Sequence, residues 1–374
     1  MEKIAIIGDI HFSRKAENPI IKKYIKDGQA KFFDDLVVNL KASGIKTVLM
    51  TGDIHDTRVI IDVEAMVNTK RLLQDKMKDF DIHIILGNHD MYYENSYDIS
   101  ALELFEDIPN VTVYRQNVVQ KELLGKTWYF IPWIIQDKEE KFVEFLQKMA
   151  TKSQEKRDNT VLFGHFDMFG VDMEGNGNLS SVGLDPNLFL KAAKTTFSGH
   201  YHGKSQVNKM GSEICYVGSP YPMTFANADS KHGYWILDEE GNKEFIENTI
   251  SPTFKDIWDT DNLDDVDDLT NSFVRFYMSN SLSMEQIFDL RLKIESKNPL
   301  LIKKIPYDGG EKNDEEKREI QEQANNLLGK STVKLAEMYI DQHEDELPKL
   351  KLTTDSRKAI LDRIEEYKAE LNLN

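Results

Sequence analysis

Residues 4–11 read Ile-Ala-Ile-Ile-Gly-Asp-Ile-His: an apolar run, a glycine, a carboxylate and, two places on, an imidazole. A short apolar run closed by a turn signal is the pattern of a strand buried on both faces. Its end is a rigid place from which to hang a ligand. The arrangement returns along the chain. Thr47–Met50 leads to Gly52-Asp53-Ile54-His55-Asp56, Ile82–Leu86 to Gly87-Asn88-His89-Asp90, and Val161–Phe163 to Gly164-His165, while a further block reads Gly199-His200-Tyr201-His202. Five of the nine histidines sit in these blocks at positions a metal site would use, and His55 lies beside one.

Working outward, strands are predicted at Ile4–Ile7, Thr47–Met50, Ile82–Leu86, Val111–Tyr114 and Trp128–Trp133, with helices at Gln29–Lys41, Val63–Lys78 and Glu139–Met149. Phe32, Phe33, Leu36, Val37 and Leu40 recur at helical spacing and give the first helix one buried face. Such alternation predicts a layered α/β fold. Strands at Ile214–Val217 and Tyr234–Leu237 read as a continuation of the same sheet.

With 374 residues, 40% of them apolar, the chain can bury a large core and hold more than one domain. A net charge of −17 argues against nucleic acid as a partner, because phosphate binding relies on Lys and Arg. Bound divalent cations would offset that charge locally. The single cysteine, Cys215, allows no intrachain disulfide and reads as a small buried hydrophobe in a strand. No secretory start and no apolar run of spanning length is present, so no membrane association and a cytoplasmic location are expected, in whatever cell makes or hosts the chain.

Past residue 250 the character changes. The stretch Asp256 to Asp268 reads as a solvated linker or acidic face, since it lacks the glycine and closing glutamate of an EF-hand loop. A strand at Phe273–Met278, a helix at Met284–Ser296 and a strand at Leu300–Ile305 make a compact accessory unit. The boundaries are therefore 1–250 for the main domain, 251–308 for the accessory domain, 309–330 for a charged linker or exposed helix, and 331–374 for a helical region. In the last, Ile360, Leu361, Ile364, Tyr367 and Leu371 form an apolar stripe that needs covering.

The blocks together supply Asp9, His11, Asp53, Asn88, His165, His200 and His202, a mixed oxygen and nitrogen set suited to two neighbouring divalent metals. Asp53 could bridge the pair with its two oxygens. Two metals would clamp a phosphate and make hydroxide available near neutral pH, which serves phosphoester hydrolysis. His89 is spare in the ligand count and would protonate the leaving oxygen, with Asp90 fixing its tautomer. Any one block alone is more often a structural turn. His83 alternates with Ile82 and Ile84 and reads as a strand-face residue, and His232 and His343 are assigned to the surface.

The order of these blocks resembles that of the calcineurin-like metallophosphoesterases over roughly residues 1–240. Within them the chain is most similar to the SbcD-type nucleases, relatives of the meiotic recombination nuclease, and especially to the recombination endonuclease subunits of T-even-like phages. Asp90 at the end of Gly87-Asn88-His89-Asp90 and the segment Tyr216-Val217-Gly218-Ser219-Pro220 carry that likeness, along with the C-terminal layout. The resemblance implies a layered β-sandwich with flanking helices, a small α/β capping domain and C-terminal docking helices. It places one metal on Asp9, His11, Asp53 and His202, the other on Asp53, Asn88, His165 and His200, and makes His89 the catalytic histidine. Manganese is the metal implied, with magnesium as the alternative. His55 departs from the aromatic residue usual there, as a packing substitution or as an extra polar contact near the phosphate.

The same resemblance implies partners: DNA, an SMC-like ABC ATPase of the SbcC type, and a second copy in a two-plus-two complex. Val63, Met66 and Val67 would contribute to the homodimer, and the terminal helices would grip the ATPase. Arg14, Lys15 and Arg58 are the candidate DNA contacts, though a solvated face explains Arg14 and Lys15 almost as well. The activity implied is duplex exonuclease and single-strand endonuclease action in DNA end processing. A phosphatase or phosphodiesterase for small molecules or phosphoproteins, and a non-catalytic scaffold, are the competing readings.

Overall fold

Each apolar run that precedes a block is a strand in the computed structural model, which describes residues 2–12, 18–175, 177–228, 230–266, 268–308 and 312–328. The chain begins β1 (Lys3–Ile7), α1 (Pro19–Ala42), β2 (Thr47–Met50), α2 (Val63–Arg71) with a short π-helical extension at Leu72–Lys76, β3 (Asp81–Ile85) and β4 (Val111–Tyr114). It continues through β5 (Val119–Leu123), β6 (Lys126–Ile131), α3 (Gln136–Ala150), α4 (Gln154–Asp158), β7 (Thr160–His165), α5 (Pro186–Ala192) and β8 (Thr195–Gly199). Then come β9 (Ser205–Lys209), β10 (Ser212–Tyr216), β11 (Gly233–Asp238) and β12 (Lys243–Glu247). The last described elements are β13 (Thr253–Trp258), β14 (Ser272–Ser279), α6 (Met284–Glu295), β15 (Leu301–Tyr307) and α7 (Asp314–Leu328).

Two six-stranded sheets face each other, one ordered β12-β11-β1-β2-β3-β4 and the other β5-β6-β7-β8-β10-β9. Strands β1 to β4 are parallel, as are β6, β7, β8 and β10. Alternate residues of β1 point to opposite faces: Ile4 and Ile6 join Trp128, Phe163, Phe197 and Cys215 between the sheets, while Ala5 and Ile7 meet Phe32, Phe33 and Leu36 of α1 on the outside. On the far side α3 and α5 bury Phe142, Leu146 and Phe189 against the second sheet. The result is the layered β-sandwich with flanking helices. The single continuing sheet expected from sequence divides instead: Ile214–Val217 falls in the second sheet, and Tyr234–Leu237 returns to the first, antiparallel to β1.

A third sheet, β13-β14-β15, occupies the region past residue 250. The reading of Asp256 as part of a solvated stretch is corrected here. Asp256 lies on β13, and both its oxygens accept from the buried Arg275 guanidinium at 2.6 Å. Arg275 also donates to the Phe225 carbonyl at 3.0 Å and lies over the Phe225 ring. A buried arginine satisfied in this way replaces the solvent it has left.

The chain divides into two compact units, Met1–Phe276 with Met284–Lys304, and Tyr277–Ser283 with Ile305–Asn374. Within the second, Asn280 donates to the Tyr307 carbonyl, and α7 is opened by Asn313 and Glu316, each accepting from the other's backbone N–H. The predicted helices of residues 331–374 and His343 lie outside the described residues. Among the described residues no helix is long and apolar enough to cross a membrane.

Candidate metal centre

Parallel strands end side by side, so the loops after β1, β2 and β3 in one sheet meet those after β7 and β8 in the other. The first sheet delivers Asp9, His11, Asp53, Asn88 and His89; the second delivers His165, His200 and His202. Three of these residues, His11, Asp53 and His200, hold positive φ angles of 47°, 51° and 91°. Side chains rarely adopt that backbone, which costs about 1–3 kcal/mol per residue and persists only where the surroundings enforce it. The glycines make room for the ligands themselves: a Cβ on Gly87 would lie 2.1 Å from Asp53 Oδ1, and one on Gly199 would lie 2.9 Å from His165 Nδ1.

Asp53 sits at the middle. Its Oδ1 accepts from the His89 backbone N–H at 2.8 Å, while Oδ2 stands 3.6 Å from His11 Nε2 and 3.4 Å from His165 Nε2. One carboxylate oxygen thus faces a histidine from each sheet. Burial alone would raise the Asp53 carboxyl, but His165, His11 and His89 hold it well below the usual carboxylate range. Asp9, wholly buried, accepts from the His200 N–H at 2.8 Å through Oδ1, and burial pushes its pKa up to about 6.

His165 is oriented from behind. His165 Nδ1 donates to the Thr51 carbonyl at 2.8 Å, which turns Nε2 toward Asn88 Oδ1 at 2.9 Å. His200 Nδ1 approaches the same amide oxygen at 3.1 Å, and His202 Nε2 faces His11 Nε2 at 3.2 Å. Burial works against charge on His165, yet Asp53 and Asp9 lift its pKa to about 9, whereas burial and His165 push His200 down to about 3. The Trp133 ring covers His200 and His165, with centroids 5.1 and 5.7 Å away.

These donors fit divalent cations. Asp9 Oδ2 is buried and accepts no hydrogen bond, ring nitrogens converge in pairs, and Asp9, Asp53 and His165 offer ligand atoms that all lie within 4.8 Å of one another. Oxygen and neutral nitrogen held by rear hydrogen bonds are the ligands such cations take.

Two expectations change at the level of single residues. The Asp90 carboxylate is engaged elsewhere than at the His89 ring: it accepts from the backbone N–H groups of Asp53, Ile54 and Gly87 at 2.8, 2.9 and 2.9 Å, locking the β2 and β3 loops together. The tautomer of His89 is set instead by the Asp56 carbonyl, 2.6 Å from Nδ1. His232 is buried rather than superficial, with Nδ1 near both Ser219 oxygens and Nε2 at 3.0 Å from Ser230 Oγ. Because the Ser219 N–H also donates to the His202 carbonyl at 2.9 Å, the Gly218-Ser219-Pro220 segment braces a candidate ligand.

His55 is fully buried, stacked on Phe105 and 3.3 Å from Thr69 Oγ1, which is a packing role. Cys215 is buried between the sheets, and His83 lies on the β3 face against the Tyr114 hydroxyl. Arg58 spans the Asn88 carbonyl at 2.9 Å and Glu94 at 2.5 Å, so its guanidinium straps the loop beyond His89. Arg14 and Lys15 lie outside the described residues. Sequence reasoning gave no role to Asp56, whose carboxylate is 3.4 Å from His11 Nδ1, or to Tyr201, whose hydroxyl bonds Asp167 and Met168 just after His165.

Two facing sheets with these residues at their strand ends define a metal-dependent phosphoesterase. Residues 2–204 match the calcineurin-like phosphoesterase model, and the chain belongs to that family, whose members are metal-dependent hydrolases. Among curated relatives it is similar to exonuclease subunit 1 of Enterobacteria phage T4, with 30% identity over 253 residues, covering 67% of this chain and 68% of that protein. Solved structures resemble it more weakly. GAP50 of Plasmodium, described as the anchor in the inner membrane complex, aligns with 12% identity, 83% and 99% coverage and a TM-score of 0.44. A dimetal phosphatase from Danio rerio aligns with 13% identity, 63% and 92% coverage and a TM-score of 0.39.

Proposed function

We propose that this phosphoesterase is a DNA nuclease using two divalent cations, manganese first among them. The observation that carries the substrate is the 30% identity to a phage exonuclease subunit, which extends over 253 residues and so past the family match at residue 204. Asp9, His11, Asp53 and His202 would hold one cation, and Asp53, Asn88, His165 and His200 the other. Bound there, the cations supply an activated water and neutralise the charge of the phosphate. The chain's own groups do the rest. Asp53 reaches into both ligand sets, Asp90 and the Thr51 carbonyl fix the loops and rings, and Trp133 keeps one flank apolar. His89, its Nδ1 held by the Asp56 carbonyl, offers Nε2 as the group that hands a proton to the leaving oxygen.

Partnership belongs to the same proposal. Val59, Ile60, Val63 and Val67 form an exposed aliphatic patch around the start of α2, with Val63 at 78% exposure, and suit a second copy of the chain. Residues 251–308 would cap the DNA site, and the amphipathic region 331–374, outside the described residues, would dock an SbcC-type ATPase.

The test is cleavage of labelled DNA by the full chain with manganese, magnesium or chelator, beside Asp53→Ala. Loss of even an outer partner of a ligand costs about 10–100-fold, so Asp53→Ala is expected to lose at least roughly 100-fold. Equal cleavage by both proteins, or hydrolysis of small phosphodiesters with no cleavage of DNA under any metal, contradicts the proposal.

A further inference from the structure

Three residues beyond His89 the chain exposes two adjacent aromatic rings. Tyr92 and Tyr93 are 41% and 50% exposed, and their rings meet edge to face at 4.7 Å and 85°. Neither the core nor the metal centre uses them. Their loop is tied down: Met91 bridges Ser100, the Tyr92 N–H donates to the Ile99 carbonyl at 3.0 Å, and the Tyr97 hydroxyl donates to the Trp133 carbonyl at 2.7 Å. Arg58 adds a strap from the Asn88 carbonyl to Glu94. Both feet of the loop are thereby fixed to residues of the metal centre, Asn88 and Trp133.

We infer that the Tyr92–Tyr93 pair is a stacking platform for a nucleobase next to the scissile phosphate, so that the preferred substrate is an unpaired or frayed strand. The inference rests on the DNA reading above and specifies its substrate. Rings already ordered against each other lose little freedom when a base arrives, and stacking accepts every base because each has a π face. Charge points the same way. In a chain of net charge −17, with Arg58 committed to Asn88 and Glu94, stacking supplies affinity that does not depend on lysine or arginine meeting phosphates. A second copy of the chain is the rival occupant, since tyrosines also favour interfaces, and the oligomeric state of the variants distinguishes it.

The experiment compares the full-length wild type, Y92A/Y93A and Y92F/Y93F in manganese. Substrates are a single-stranded oligonucleotide, the same strand with one abasic position moved along it, and a fully abasic deoxyribose-phosphate oligomer, a diester with no base or other aromatic ring. The alanine pair is expected to raise KM for the oligonucleotide about 5- to 150-fold with little change in kcat, and to hydrolyse the base-free diester like wild type. The phenylalanine pair should behave like wild type. One abasic position should penalise wild type and leave the alanine pair indifferent. Unchanged cleavage of DNA by the alanine pair overturns the inference, as does equal loss on the base-free diester or conversion of a dimer to a monomer. Wild type that cleaves the diester but no DNA overturns the DNA reading itself, an outcome visible before any variant is compared.

Discussion

At the scale of single residues, the site depends on groups that hold ligands as much as on the ligands. Asp90 shows this most clearly, since its two oxygens gather three backbone N–H groups from the loops that carry Asp53 and Asn88. Asp90→Asn leaves one oxygen for those donors and sets an amide against a backbone N–H. It is expected to destabilise the chain by about 3 kcal/mol and to weaken cation binding, as chemical unfolding and calorimetry would record. His232 gives a pH dependence. Burial depresses its pKa from 6.5 to about 4, so the unfolded chain binds the extra proton and stability falls as pH drops from about 6.5 toward 4. Between pH 7 and 4.5 wild type should lose roughly 2–3 kcal/mol more than His232→Gln in urea unfolding; equal losses would remove His232 from the account. The candidate ligands were legible because most of them, Asp9, His11, Asp53, Asn88 and His165, follow an apolar run. Their supports were not. Asp56 orients His89 through a backbone carbonyl that any residue would supply, and Trp133 and Tyr201 act on segments far away in sequence.

At the scale of elements, legibility followed burial. β2 starts and ends where its run does, and its Val48, Leu49 and Met50 are wholly buried, as in a strand covered on both faces. β5 and β9, at the edges of the second sheet, read Val-Gln-Lys-Glu-Leu and Ser-Gln-Val-Asn-Lys and carry no such run. α1 begins at Pro19, ten residues before the predicted start, with Asn18 capping it. Gly28 lies inside that helix, and a Cβ there would come 2.6 Å from Pro252 Cδ, so the glycine lets α1 pack against Pro252. β13 was missed because its acidic residue looked solvated, whereas Asp256 is paired with Arg275. Arg275→Ala strands a buried carboxylate and is expected to cost about 3–5 kcal/mol. Replacing both partners by apolar residues of similar volume should recover most of it, as equilibrium denaturation of the single and double variants would show. A single variant as stable as wild type would contradict the pairing.

At the scale of the whole molecule, two sheets meet so that their strand ends pool seven candidate ligands, two of them the buried carboxylates of Asp9 and Asp53. Neither sheet holds a complete set: Asp9, His11, Asp53 and Asn88 come from one, and His165, His200 and His202 from the other. The central claim is that this shared edge binds two divalent cations, with Asp53 between them. Calorimetric titration of manganese into the full chain tests it most directly. Two cations per chain are expected for wild type and one for Asn88→Ala, which would remove a candidate ligand of only one set. A wild type that binds one or none, or an Asn88→Ala that still binds two with unchanged affinity, would contradict the account.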